Sequence, residues 1–84
     1  MTIVRFTVWD YDFLPEGNYG WAKISETLYN TEMNEFLIEL MNEYDCECRG
    51  NIWNCAEYND NGELTGFIFH KSSTQGREYV YEIL

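Results

Sequence analysis

Basic residues are scarce: five stand against fifteen acidic ones, for a formal net charge of −10, and lysine occurs only at Lys23 and Lys71. A surface so short of cations repels phosphate backbones and anionic lipid headgroups, so direct nucleic-acid binding and membrane-surface binding are not expected. No apolar run is long enough to span a bilayer. The stretch Met1-Thr2-Ile3-Val4-Arg5 has neither the apolar segment nor the small-residue cleavage site of a signal peptide, which makes the cytoplasm the expected location. Cysteine appears three times, at Cys46, Cys48 and Cys55. An odd number without a secretion signal argues for reduced thiols rather than a disulfide framework. Also missing are a glycine-rich phosphate loop, a nucleophile elbow and a zinc-protease helix motif, so catalysis and a cofactor are not expected.

What is present is enough apolar surface to fold. Hydrophobic residues make up 45% of the 84 positions and aromatics 18%, with seven Tyr, five Phe and three Trp. A chain of this length forms one domain, residues 1–84, burying only about 60 to 65% of its unfolded surface. Rings that each cover roughly 150 to 250 Å² compensate for the small core. That content outweighs the net charge and argues against a disordered tail.

Periodicity assigns the elements. Residues 2–9 alternate, with Val4, Phe6 and Val8 on one face and Ile3, Arg5, Thr7 and Trp9 on the other, which predicts a strand. Residues 10–20 carry Pro15, Gly17, Asn18 and Gly20 and read as a loop, returning through a short strand at 21–24. Met33, Phe36, Leu37, Leu40, Met41 and Tyr44 recur at helical spacing and predict an amphipathic helix over 31–44, capped by Asn30 or Thr31, with residues 25–29 adding a preceding turn. After Gly50 the pattern gives strands at 51–58, 63–71 and 78–83. The first two join through Asn59-Asp60-Asn61-Gly62, a strong hairpin signal, and the last two are separated by a polar loop at 72–76. The expected fold is α+β, a mainly antiparallel sheet of four to five strands with one helix packed on one face, in the order β(β)αβββ.

The sharpest candidate site is the acidic row Glu32, Glu35, Glu39 and Glu43 along that helix, continued by Asp45 and Glu47. Like charges four apart disfavour a helix by a few tenths of a kcal/mol, and anions at its C-terminal end oppose the dipole, so stability does not select this pattern. Lysine is absent from the helix, so the usual Glu-to-Lys pairing of a solubilised face is missing. Residues four apart rise about 6 Å, similar to the spacing of phosphates along one DNA strand. The row therefore reads either as an ordinary solvated face or as a nucleic-acid mimic that competes for a basic groove. A second candidate surface is the cluster of Trp9, Tyr11, Phe13, Tyr19 and Trp21 with Asp10, Asp12 and Glu16, since Tyr and Trp beside acids make good interface anchors.

Metal sites are weak by comparison. Asp10-Tyr11-Asp12 and the segment 57–62 contain fragments of a calcium loop, but the first has Leu14 and Pro15 where a ligand and a glycine belong, and the second has Ile68 at its twelfth position. Cys46, Cys48, Cys55 and His70 lack zinc-ligand spacing. No metal is expected.

In size, charge and aromatic content the chain resembles the small acidic anti-defence proteins of phages and mobile elements, the anti-CRISPR and anti-restriction proteins, on the strength of Glu32, Glu35, Glu39, Glu43, Asp45 and Glu47 and the compact α+β order. That class shares no motif, so no residue roles transfer. The resemblance implies a cofactor-free inhibitor that binds a basic nucleic-acid-binding protein or nuclease complex, in the host cytoplasm if phage-encoded. Its contacts would be the acidic row, with Asp10, Asp12 and Tyr11 as a second set. The rival expectation is a small adaptor or structural subunit that docks a partner, or a second copy of itself, through a sheet edge or the aromatic cluster.

Overall fold

A computed structural model describes residues 1–73 and 76–84. Five antiparallel strands form one sheet: β1 (Thr2–Phe13), β2 (Tyr19–Thr31), β3 (Ala56–Tyr58), β4 (Leu64–Phe69) and β5 (Arg77–Ile83), in the spatial order β2-β1-β5-β4-β3. One helix, α1 (Met33–Tyr44), and two short 3-10 turns, Cys46–Cys48 and Ile52–Cys55, connect β2 to β3. The α+β class and the order ββαβββ agree with the sequence pattern. The polar loop read at 72–76 includes Thr74 and Gln75, which lie outside the described residues.

Alternation places Val4 and Phe6 of β1, Tyr79, Tyr81 and Ile83 of β5, and Phe67 and Phe69 of β4 on one side of the sheet. α1 lies there and buries Phe36, Leu40 and Tyr44 against them. Phe36 meets Phe67 edge-on at 6.2 Å, and Tyr44 stacks on Phe69 at 4.1 Å. The row at 36, 40 and 44 is the one that docks; Met41, expected with it, is 43% exposed. Glu32 rather than Asn30 or Thr31 caps the helix, its carboxylate accepting from the Glu35 amide at 3.2 Å. Thr31 and Asn30 are instead held in β2 by pairing with Thr2 and Ile3.

Three local expectations are corrected. Residues 10–20 are not a loop, because β1 runs on to Phe13 and β2 begins at Tyr19. Tyr11 opposes Trp21 and Phe13 opposes Tyr19, and cross-strand ring pairs of this kind contribute roughly 0.2–1 kcal/mol each, enough to override the low strand propensity of Asp10 and Asp12. The turn is confined to residues 14–18, where Gly17 takes φ 92° and the Leu14 amide bonds the Asn18 carbonyl at 2.8 Å. Residues 25–29 extend β2 rather than forming a helical turn, after a bulge that inserts Ile24 opposite Val8 and Trp9. At 51–58 only Ala56–Tyr58 is strand.

The cysteines depart from expectation as well. Arg49 and Gly50 take positive φ, folding the two 3-10 turns back on each other, and Cys48 and Cys55 form a disulfide with Cα atoms 6.1 Å apart. Counting cysteines gives no information on this reversal. Cys46 is free and exposed. Protein purified without reductant and then denatured should therefore titrate as one thiol per chain, and a count of three would refute the link. A bridge across seven positions contributes about 2 kcal/mol, which Cys55→Ser should remove in a urea melt.

Candidate functional site

The acidic row lies along one side of α1, flanking the buried row by about a third of a turn, as the 100° step per residue requires. Glu32, Glu35, Glu39 and Glu43 are all exposed, Asp45 is exposed at the helix C-cap, and Glu47 is half-buried in the first 3-10 turn. They are not equivalent. Glu32 is committed to the cap. Glu43 is bonded to Lys71, which enters from the far end of β4 and holds its ammonium over the rings of Tyr44 at 5.2 Å and Tyr79 at 5.6 Å. The missing helix lysine is thus supplied from another element at this one position. Hydrogen bonding to Glu43 raises the Lys71 pKa. Glu35, Glu39, Asp45 and Glu47 carry no ion pair among the described residues.

Of the remaining cations, Arg49 lies exposed beside Glu47 at the end of the row, and Arg5, Lys23 and Arg77 are paired elsewhere. Arg5 forks onto Glu82 at 3.2 and 2.8 Å and lies 3.8 Å from Glu26, while Lys23 bonds Glu26 at 2.8 Å. By strand alternation these residues occupy the sheet face opposite α1, which no helix among the described residues covers. Their partners respond accordingly: the Arg5 bond holds Glu82 below the usual carboxylate range, and the Lys23 bond does the same for Glu26. The open sheet face thus pairs its two cations, although Glu57 and Glu78 lie on it too by the same alternation, and α1 carries a row of acids of which Glu35 and Glu39 have no ion pair among the described residues.

Asp10, Asp12 and Tyr11 separate. Asp10 is half-buried and clamped by Arg77 at 2.5 and 3.0 Å, which lowers its pKa; its charge is spent on joining β1 to β5. Asp12 is exposed and accepts from the Phe13 amide at 2.7 Å. Tyr11 points to the opposite face, stacked on Tyr19 at 6.2 Å and edge-on to Trp21 at 5.4 Å, and Phe13 meets Tyr19 at 5.2 Å. β5 pairs with β1 as far as Asp10, and the Tyr11 amide still donates to the Gly76 carbonyl at 2.6 Å, so among the described residues it is the outer rings that project on the β1–β2 hairpin; Tyr19 is 66% exposed and Phe13 58%. Asp10 and Asp12 thus flank the helix side, whereas Tyr11 belongs to a distinct aromatic surface.

The metal candidates do not assemble. Cys48 and Cys55 are bonded to each other, His70 faces Glu78 at 3.4 Å, and no cluster of three or more His, Cys, Asp or Glu side chains suited to a metal occurs among the described residues. Of segment 57–62, Glu57 and Tyr58 end β3 and residues 59–62 form the hairpin turn, in which the Asn59 side-chain oxygen accepts from the amides of Asn61 and Glu63, each at 3.0 Å. No helix among the described residues is long and apolar enough to cross a membrane.

One feature escaped the sequence pattern. Between α1 and the sheet, beside the acidic row, runs a groove of about 560 Å³ whose lining includes Phe6, Tyr29, Glu39, Glu43, Tyr79 and Tyr81. Its signal in the sequence is tyrosine, rather than phenylalanine, at core-facing strand positions, a choice that needs a partner for each hydroxyl. The Tyr44 and Tyr81 hydroxyls meet at 2.9 Å. Burial is the main cause that raises the phenol pKa of Tyr29, Tyr44 and Tyr81, with Glu39 adding to it at Tyr29 and the Tyr44 bond at Tyr81. Folded values above the unfolded one mean that this stability is complete below about pH 10 and is lost as the pH rises above it. Urea stability should fall above that point by about 1.4 kcal/mol per pH unit for each tyrosine held neutral. Phenolate absorbance should show a step coincident with unfolding. A flat stability profile to high pH would contradict the burial.

A scan of family models and searches of curated proteins and of solved structures find no match to this chain.

Proposed function

We propose that the chain is a stoichiometric inhibitor of a nucleic-acid-processing defence complex, of the anti-CRISPR or anti-restriction type, which lays its acidic helix side in the complex's basic groove in place of nucleic acid. The observation that carries this reading is the row of exposed acids along α1. Arg5 and Lys23 are paired on the open sheet face, Arg77 with Asp10 and Lys71 with Glu43, while among the described residues Glu35, Glu39, Asp45 and Glu47 have no ion pair along one side of α1 and just past it, where Arg49 lies beside Glu47. Such a field steers a basic partner and repels nucleic acid itself. In this reading the chain performs no reaction, takes no cofactor and inserts in no membrane.

The test is capture of partners on the immobilised protein at low and moderately high salt. A nucleic-acid-binding complex that is released by salt and displaced by DNA is the expected result, because contacts between charges weaken as the Debye length shortens. Partners retained at high salt and indifferent to DNA would overturn it. They would favour the second reading, an adaptor or structural subunit, which rests on the exposed rings of Tyr11, Phe13, Tyr19 and Trp21 gathered on the hairpin arm.

A further inference from the structure

We propose that the groove beside α1 receives an arginine side chain of the partner, its guanidinium lying against the rings of Phe6 and Tyr29 and bonded by the Glu39 carboxylate. This rests on the reading above and specifies where a basic partner is gripped. The acidic row alone attracts cations without preference; the groove adds shape and aromatic faces. Its floor is built from β1 and β5, where Phe6 stacks on Tyr81 at 4.5 Å and on Tyr79 at 6.3 Å, its far wall is Tyr29 of β2, and its near wall is Glu39 and Glu43 of α1. Four partly buried rings thus line a space bordered by carboxylates.

The chain's own Lys71 already uses this chemistry at one end, with its ammonium over Tyr44 and Tyr79 and bonded to Glu43. Glu39, one helical turn before Glu43, borders the rest of the groove and has no ion pair among the described residues. Arginine fits that remaining stretch better than lysine. Its guanidinium is planar and weakly hydrated, stacks on rings and bonds a carboxylate through two parallel N–H donors, whereas an ammonium is a compact, strongly hydrated point charge. Tyr29 contributes a ring face and a hydroxyl at the same wall. At about 560 Å³ the groove is ample for one such side chain.

The experiment titrates isotope-labelled full-length protein with capped Gly-Arg-Gly and follows amide and ring resonances, with Gly-Lys-Gly and Gly-citrulline-Gly as comparisons. Saturable shifts at Phe6, Tyr29, Glu39 and Tyr79 are expected with the arginine peptide, weaker ones with lysine and none with citrulline, which keeps the shape and loses the charge. Glu39→Gln should weaken arginine binding by about tenfold, the usual loss for a hydrogen bond to a charged group. Tyr29→Leu leaves every helix carboxylate in place, so a matching loss there marks the groove rather than the row; an unchanged thermal melt shows that either variant is folded. Shifts confined to Glu35, Asp45 and Glu47 would overturn the groove and leave the acidic helix reading intact. Equal response to arginine and citrulline, or full binding by Tyr29→Leu, would also overturn it. Absence of any shift would refute the groove alone, since capture of a salt-sensitive complex tests the wider reading independently.

Discussion

Reversing Glu35, Glu39 and Glu47 to lysine is expected to abolish capture of the basic partner while leaving the fold intact. The structure decides which acids to change. Glu32 bonds the Glu35 amide at the helix N-terminus, and Glu43 anchors Lys71 over Tyr44 and Tyr79, so reversing either would disturb the fold as well as the charge. Glu35 and Glu39 are exposed and unpaired among the described residues, and Glu47 extends the row past the helix. Substitutions at exposed positions such as Glu35 and Glu39 usually change stability by no more than about 0.5 kcal/mol, and the half-buried Glu47 has no ion pair among the described residues to lose, so the melting curve should move little. Binding should respond very differently, because each reversal turns an attraction into a like-charge contact that costs several kcal/mol. Three together should lower affinity by at least about a thousandfold. The neutral set Glu35→Gln, Glu39→Gln and Glu47→Gln should fall between, with a shallower salt dependence than the unaltered chain. Undiminished capture by the folded triple lysine variant would remove the mimicry reading. If Phe13→Ser and Tyr19→Ser abolished capture instead, the aromatic arm would be the working surface.

What could be read in advance divides along local and non-local lines. The helix was legible because Phe36, Leu40 and Tyr44 repeat at its own period, and the acidic row because Glu35, Glu39 and Glu43 repeat on the adjacent stripe. The Asn59–Gly62 turn was legible from its dipeptide. The hairpin arm was not, since Asp10, Asp12, Pro15, Gly17 and Gly20 are all local loop signals, and what outweighs them is the register that puts Tyr11 opposite Trp21 and Phe13 opposite Tyr19. Residues 51–55 failed in the other direction. Their strand-like composition yields to short-range bonds, from the Trp53 amide to the Asn51 side chain and from the Asn54 side chain to the Cys48 carbonyl, which favour a turn. The site splits the same way. Spacing on one helix placed the carboxylates, but it could not show that Glu43 meets Lys71, 28 positions away, or that Asp10 is clamped by Arg77, 67 positions away. The groove is less legible still, being lined from β1, β2, β5 and α1 at once.

Gly66→Ala is expected to be among the most destabilising single changes in the molecule, although it adds one methyl group. Gly66 sits within β4 at the junction with β5, and a Cβ there would lie 2.0 Å from the Tyr81 carbonyl oxygen and 3.1 Å from its carbon. Both are backbone atoms of the neighbouring strand, so relief requires β4 and β5 to part or slide. Gly20 provides the contrast. A Cβ at that position would approach the Leu14 Cδ1 at 2.7 Å, but this is the tip of a flexible, half-buried side chain that can turn away. Overpacking ordinarily costs about 1–3 kcal/mol. A clash with backbone belongs at or above the upper end of that range, against a total of roughly 4–13 kcal/mol for a domain of this length. The damage also reaches the proposed site, because β4 and β5 carry Phe67 and Phe69 beneath α1 and Tyr79 and Tyr81 in the groove floor. The urea midpoint of Gly66→Ala should fall well below that of Gly20→Ala, with the Tyr44–Tyr81 ring environment altered in the near-ultraviolet spectrum before global unfolding. Equal, small losses at both glycines would mean that β4 and β5 can separate at little cost, and the sheet beneath the helix would then be too compliant to hold the groove walls in place.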